Sequence, residues 1–434
     1  MLESVALEYA IYQQALRQLL PEAAFTELRI TRGGKKRAVW NQIKADVLQM
    51  PTVQIRNALR AERAVRCGSA AHPKRRQVAA LHMTPSTKPS MFFIGVTTAK
   101  SSINKVFPRW AEHLGLGDCE LRGMDFPLHA EPARYREVVE FIKNDPLTRG
   151  ALVTTHKIDL CAASRDQFDA LDSLSASMGE LSSIYKRDGR LHGRAVDPWT
   201  VGLSLDAFLP ANHWRDTGAE AVILGAGGSA MALAWHLSKT AHGTNCPTRI
   251  HVANRSTLRL EHLRGLHASW QSAVPLVTHH VPNPELADAI LSNLPLGSLV
   301  VNATGLGKDA PGSPLTDDAL FPERGLVWEF NYRGELVFLD QAQAQKASRN
   351  LQIEDGWVYF LHGWTRVISD VFAVDIPSHG PVFNELSRIA EEACGVRRPV
   401  AAFPTRGARS THPAAPPPNQ SGDGSPHSTG RIPI

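Results

Sequence analysis

Residues 221–237 read AVILGAGGSAMALAWHL: four apolar strand-formers, a glycine turn, then an apolar run of helical length. Ala221 to Leu224 reads as a buried strand. Gly225, Ala226, Gly227, Gly228, Ser229 and Ala230 follow it at once. Glycines at that junction let backbone N–H groups approach a pyrophosphate, which rests on the positive end of the following helix. Ala230 takes the third small position, where helix and strand must pack closely. A G-x-G-x-x-A pattern alone is weak, and its strand–turn–helix setting is what makes it a dinucleotide site. The plainer alternative is a glycine turn that joins the two elements and holds nothing.

Downstream, the strand RIHVANRS ends on Asn254, Arg255, Ser256, Thr257, Leu258 and Arg259. A site for NAD usually carries Asp or Glu there, to accept from the ribose 2′-hydroxyl. Asn254 is neutral, and Arg255 and Arg259 can clamp a 2′-phosphate, so NADP is the expected cofactor. The competing reading makes both arginines solvated residues at a helix start. LVVNATGLG, with Asn302, Ala303 and Thr304, and LVWEFNY continue the series. Upstream, MFFIGV, VFPRWAEHLGL, CELRGMDF, YREVVEFIKN and GALVTT alternate strand and helix in the same way. Two βαβ series in succession predict an α/β protein built on parallel sheets.

The flanks differ from this middle. Residues 1–80 carry a charge of +8 and residues 397–434 carry +4, so residues 81–396 hold −7 of the total of +5. The basic character belongs to the ends, which disfavours a nucleic-acid role for the core. Residues 397–434 are rich in Pro, Gly and Ser, and disorder is expected of them. Residues 1–90 form a basic extension of uncertain fold. Leu16, Leu19, Leu20, Val47, Leu48, Val53 and Leu59 show helical spacing across 1–66, and residues 1–82 read as an appendage or an upstream extension. No apolar run approaches the ~20 residues of a membrane span. Five scattered cysteines (67, 119, 161, 246 and 394) with no C-x-x-C argue for a reducing cytoplasm and against a zinc site.

The ordered set THK (155–157), DGRLHGRAVDP (188–198), LGAGGSA, NRSTLR and VNATGLG resembles the shikimate dehydrogenase family over about residues 91–396. The resemblance implies two domains with the active-site cleft between them. A substrate-binding α/β domain would span 91–205 and a Rossmann domain 206–355, with helices in 356–396 returning to the first. It also implies that Lys157 and Asp197 flank the reacting oxygen. The chemistry wants such a pair: a lysine protonates the developing alkoxide, and a carboxylate holds the lysine and the substrate hydroxyl. His156 is an alternative acid–base group, although on a strand it would point away from its neighbour.

On the substrate side the resemblance implies roles for Ser101, Thr154, Ser182 and Tyr332. The family's S-x-S reads Ser101-Ser102-Ile103 here, so Ile103 replaces the second serine. The asparagine of N-V-T falls at Ala151 or Leu152. The asparagine of G-A-V-N-T becomes Ser182 in Gly179-Glu-Leu-Ser-Ser, the one before the catalytic aspartate becomes Ala195, and the late glutamine falls at Gly363. A site built for hydrogen bonds rejects analogues lacking them, so a recut pocket predicts a relative of shikimate: a cyclitol, aminocyclitol or modified shikimate. A homodimer is admitted as the assembly. Rival readings are a ligand-sensing protein without turnover and a folate-linked dehydrogenase of similar fold.

Overall fold

The computed structural model describes residues 83–395, except 129, 240, 241 and 309, together with three strands nearer the N-terminus. Most of residues 1–82, and the tail 397–434 expected to be disordered, lie outside the described residues. The chain divides into Met1–His82 and Met83–Ile434. In the first unit β1 (Leu28–Ile30) runs parallel to β2 (Thr52–Gln54), which pairs antiparallel with β3 (Val65–Cys67). This corrects the helical spacing expected there: Val53 lies in a strand. The sequence agrees, since a proline at 51 disfavours helix and Thr52 and Val53 are β-branched.

The second unit holds two six-stranded sheets. One is built from β4 (Ser90–Gly95), β5 (Glu120–Asp125), β6 (Thr148–Val153), β7 (Ala170–Leu171), β8 (Ser183–Arg187) and β9 (Arg190–Arg194), in the order β5-β4-β6-β8-β9-β7. The first three strands are parallel, joined through helices Ile103–His113 and Pro132–Asn144. All six residues of β4 are buried, because both faces of the sheet are covered. The β8–β9 pair is antiparallel, so this sheet is mixed. Its hairpin turn is Asp188-Gly189, both with positive φ (51° and 72°), the pairing that two-residue hairpins favour.

The other sheet is wholly parallel: β10 (Ala221–Leu224), β11 (Ile250–Asn254), β12 (Leu276–His280), β13 (Leu299–Asn302), β14 (Leu326–Glu329) and β15 (Gln352–Glu354). Its order, β12-β11-β10-β13-β14-β15, reverses direction beside β10. That is the doubly wound arrangement, and ligands bind outside the strand ends at such a reversal. Helices Trp357–Phe372 and Pro381–Cys394 return to the first sheet. There Trp364, Val367, Ile368, Phe383 and Leu386 join one core with Met91, Phe93 and Trp110. Trp110 Nε1 donates to the Leu386 carbonyl at 2.8 Å, fixing the last helix in place. Between the sheets, Val201 and Leu205 of helix Asp197–Phe208 share a core with Met231 and Leu233 of helix Gly228–Leu237.

Candidate active site

Lys157 is the first residue of helix Lys157–Ser164, directly after β6, and Asp197 is the first of helix Asp197–Phe208, directly after β9. The turn before the lysine is tight enough to hold Thr155 at positive φ. The two side chains form an ion pair, with 13% and 7% of their surfaces exposed. Two more donors reach the same carboxylate oxygen, Asp197 Oδ2: Ser229 Oγ at 3.3 Å and Tyr359 OH at 3.0 Å. Ser229 belongs to the glycine turn, so the dyad is tied directly to the second sheet. His156 is not on a strand; it precedes the helix and is buried, its Nδ1 hydrogen-bonded to Tyr135 OH at 2.9 Å and its ring against Phe126. That packing, rather than strand alternation, turns it away from Lys157.

The glycine turn fits a dinucleotide. Gly225 has φ of +115°, and a Cβ there would meet the Ala303 carbonyl at 2.6 Å, so the turn closes against the loop after β13. A Cβ on Gly227 would meet nothing within 4 Å, leaving open space over the turn. Ala226 and Ala230 are buried beneath it. The helix from Gly228 has no acidic residue in its first turn, so its positive end stays available to an anion. At the end of β11, Ser256 caps helix Thr257–Ser269, and the Asn254 side chain donates to the Ser256 carbonyl at 3.4 Å. Arg255 is exposed and Arg259 half-buried, and neither forms a salt bridge with a described residue. Asn302 is different. Its amide is fully buried, donating to Glu329 Oε2 at 2.6 Å and accepting from Thr304 Oγ1 at 2.7 Å. It shapes the loop that presents Ala303 and Thr304.

Of the residues expected on the substrate side, Ser101 and Tyr332 come together with Ser102, both serine hydroxyls lying near the phenol. Tyr332 packs on Phe360 at 4.5 Å. Ile103 does not line this cluster: it is wholly buried in the core, and Ser102 supplies the second hydroxyl. Ser182 is also committed inward, accepting from the Val196 amide at 2.8 Å, which holds the backbone leading to Asp197. Thr154 sits at the end of β6 with its hydroxyl 3.5 Å from the Ile94 carbonyl. A Cβ on Gly363 would meet nothing within 4 Å, so open volume stands there. His362 beside it is stacked on Phe383, and burial lowers its pKa to about 3.

No protein-family model matches the chain. The NADP(+) shikimate dehydrogenase of Afipia carboxidovorans is 30% identical over 288 residues, covering 64% of this chain and 88% of the relative. The chain belongs to the shikimate dehydrogenase family. A second such enzyme, from Symbiobacterium thermophilum, is 35% identical over 167 residues, or 38% of this chain and 52% of the relative. The fold matches the shikimate 5-dehydrogenase of Thermus thermophilus, solved with NADP(H) and shikimate, with a TM-score of 0.51. That likeness covers 70% of this chain and 99% of the other at 22% identity.

Two residues at the centre of the site escaped the sequence reading. Tyr359 stands where the shikimate dehydrogenase pattern G-x-x-M-L-V-x-Q has methionine, and burial beside Asp197 pushes its phenol well above the ordinary value. Glu180 stands where the pattern G-A-V-N-T has alanine. It is fully buried and neither of its carboxyl oxygens has a hydrogen-bond partner. Burial first, then the Asp197 charge, raise its pKa to about 8. The available signal for both was a polar group in an apolar family position. Among the described residues, no cluster of His, Cys, Asp or Glu is arranged to hold a metal ion, and no helix is long and apolar enough to cross a membrane.

Proposed function

We propose that this protein is an NADP(H)-dependent oxidoreductase interconverting an alcohol and a ketone on a shikimate-like or cyclitol-like ring, with Lys157 and Asp197 as the acid–base pair. The observation that carries this is the single carboxylate oxygen of Asp197 shared by Lys157, Tyr359 and Ser229 of the glycine turn. Sharing of that kind supports a proton-handling pair at the edge of a dinucleotide cradle. The nicotinamide would supply or accept the hydride. Lys157 then delivers a proton to the oxygen as it gains charge, or removes it in reverse, and Asp197 holds the ammonium in place. Arg255 and Arg259, without acidic partners among the described residues, suit a 2′-phosphate.

The pocket supports a substrate other than shikimate itself. Open volume at Gly363, an inward-facing Ser182 and a buried Ile103 leave Ser101, Ser102 and Tyr332 as the hydroxyl group cluster. Incubation with NADP+ and a panel of cyclic polyols, followed by absorbance of the reduced nicotinamide, tests the reading. Turnover is expected with at least one polyol, and with shikimate well below an efficient kcat/KM of roughly 10⁴–10⁸ M⁻¹s⁻¹. Lys157→Ala and Asp197→Ala should each lower turnover by ~10²–10⁴ with nucleotide affinity near normal. Polyol binding without any nicotinamide reduction would instead make the protein a ligand sensor.

A further inference from the structure

Glu180 is the one fully buried carboxyl at the site with no partner among the described residues, and it points at the nucleotide turn. It follows Gly179, the left-handed cap that ends helix Ser173–Met178, and its neighbour Leu181 is fixed by a backbone bond to the Lys157 carbonyl at 3.1 Å. A Cβ built on Gly228 would lie 2.8 Å from Glu180 Oε2 and 3.6 Å from Lys157 Cδ. The carboxyl therefore lies against the first residue of the phosphate-binding helix, on which the lysine stem also packs. No packing need explains an acid there. A buried carboxyl left without a hydrogen bond is costly, so a group absent from the free protein is the natural partner.

We propose that Glu180 is a cofactor-contacting residue that works in its acid form, donating its proton in a hydrogen bond to a pyrophosphate oxygen of the dinucleotide on the glycine turn. The proposal rests on the NADP(H) reading above. Of the ionisable groups facing Glu180, only Lys157 opposes the acid form. Asp197 and Asp172 oppose its ionisation, and Lys157, which favours it, is already engaged by Asp197. Cys161, on the helix that Lys157 opens, and Tyr359, on the returning helix, both have pKa values raised by burial and stay neutral. An ionised Glu180 would instead set a negative charge against the phosphates. With the pKa near 8, most of the free protein carries the proton at neutral pH. Nucleotide affinity should then fall by up to about tenfold per pH unit above that value, since only the acid form is competent.

Calorimetric titration of the whole chain with NADPH from pH 7 to 9.5, in buffer pairs of different ionisation heat, reads both affinity and protons taken up. Wild type should take up close to one more proton per nucleotide at pH 9 than Glu180→Gln, and its affinity should drop with pH where the variant stays level. Glu180→Ala, which restores the residue of the family pattern, should also lose the pH dependence, and its circular dichroism should show that it folds. Tight binding with the same pH profile and proton uptake in all three proteins overturns the role of Glu180 while leaving the NADP(H) reading intact. Failure of folded wild type to bind NADPH at any pH overturns both.

Discussion

Asp197 Oδ2 serves three donors from three places in the chain: Lys157 after β6, Ser229 in the glycine turn and Tyr359 on the returning helix. A carboxylate so held has little freedom to rotate, which keeps the lysine aimed. Tyr359→Phe removes one donor without changing the ring. A hydrogen bond to a charged group is worth ~1.5–3 kcal/mol, so kcat should fall by roughly one to two orders of magnitude, with NADP(H) affinity unchanged. A variant with wild-type kcat would show that the phenol is only packed there. Glu180 makes a separate prediction, on stability. Its pKa of about 8 in the folded protein lies above the ordinary 4.5, so folding binds a proton between those values. Wild-type stability therefore declines as pH rises from 4.5 to 8, by up to about 1.4 kcal/mol per unit. Glu180→Gln lacks this term, so without nucleotide its melting temperature should gain on wild type across that window and run parallel above it. Parallel curves throughout would mean that Glu180 titrates normally. The family pattern named Lys157 and Asp197 together, and their two side chains do meet. Tyr359 was not legible, because its meaning depends on a partner 162 residues away.

Local elements were legible wherever one short stretch carried the whole signal. AVIL followed by GAGGSA has a strand, a turn and a helix start in ten residues, and β10 and helix Gly228–Leu237 match it. The β8–β9 hairpin was hidden, because Asp188-Gly189 lies inside a stretch read for its chemistry, and the expected parallel sheet became mixed. Asn302 carries a contact that the motif did not signal: its amide donates to the buried carboxyl of Glu329 on the next strand. Burial raises the Glu329 pKa to about 7, so near neutral pH this carboxyl is divided between its acid and ionised forms. The end of β11 yields the prediction that belongs to this scale. With Arg255 exposed and Arg259 half-buried, neither salt-bridged to a described residue, their joint replacement by alanine should cost the fold little. It should weaken NADP binding far more than NAD binding, because only NADP presents the 2′-phosphate. Equal losses in a nucleotide titration would make the two arginines ordinary surface charges.

Across the whole second unit, helix Trp357–Phe372 works as a strap. Tyr359 and Asp370 are eleven residues apart, about three turns, so both face the same way. Near one end the tyrosine holds Asp197. Near the other, Asp370, 7% exposed, accepts from Arg194 Nη1 at 2.8 Å and Ser183 Oγ at 3.1 Å, with Arg366 Nε at 3.9 Å. Ser183 opens β8 and Arg194 closes β9, three residues before Asp197. The strap thus grips the first sheet at the strands that deliver Asp197, from more than 170 residues away in sequence. Removing one member of a buried charged cluster leaves the others uncompensated, typically at ~3–5 kcal/mol. Arg194 and Arg366 keep 18% and 29% of their side chains exposed and recover some hydration. Asp370→Ala should therefore destabilise the protein by about 2–4 kcal/mol. In urea the midpoint should fall with an unchanged slope, because the same surface is exposed on unfolding. Asp370→Asn, whose carbonyl oxygen can still accept from Arg194 while its amide donates to the Ser183 hydroxyl, should lose less. If both variants unfolded at the wild-type midpoint, the strap would be held by its apolar face alone, through Trp364, Val367 and Ile368.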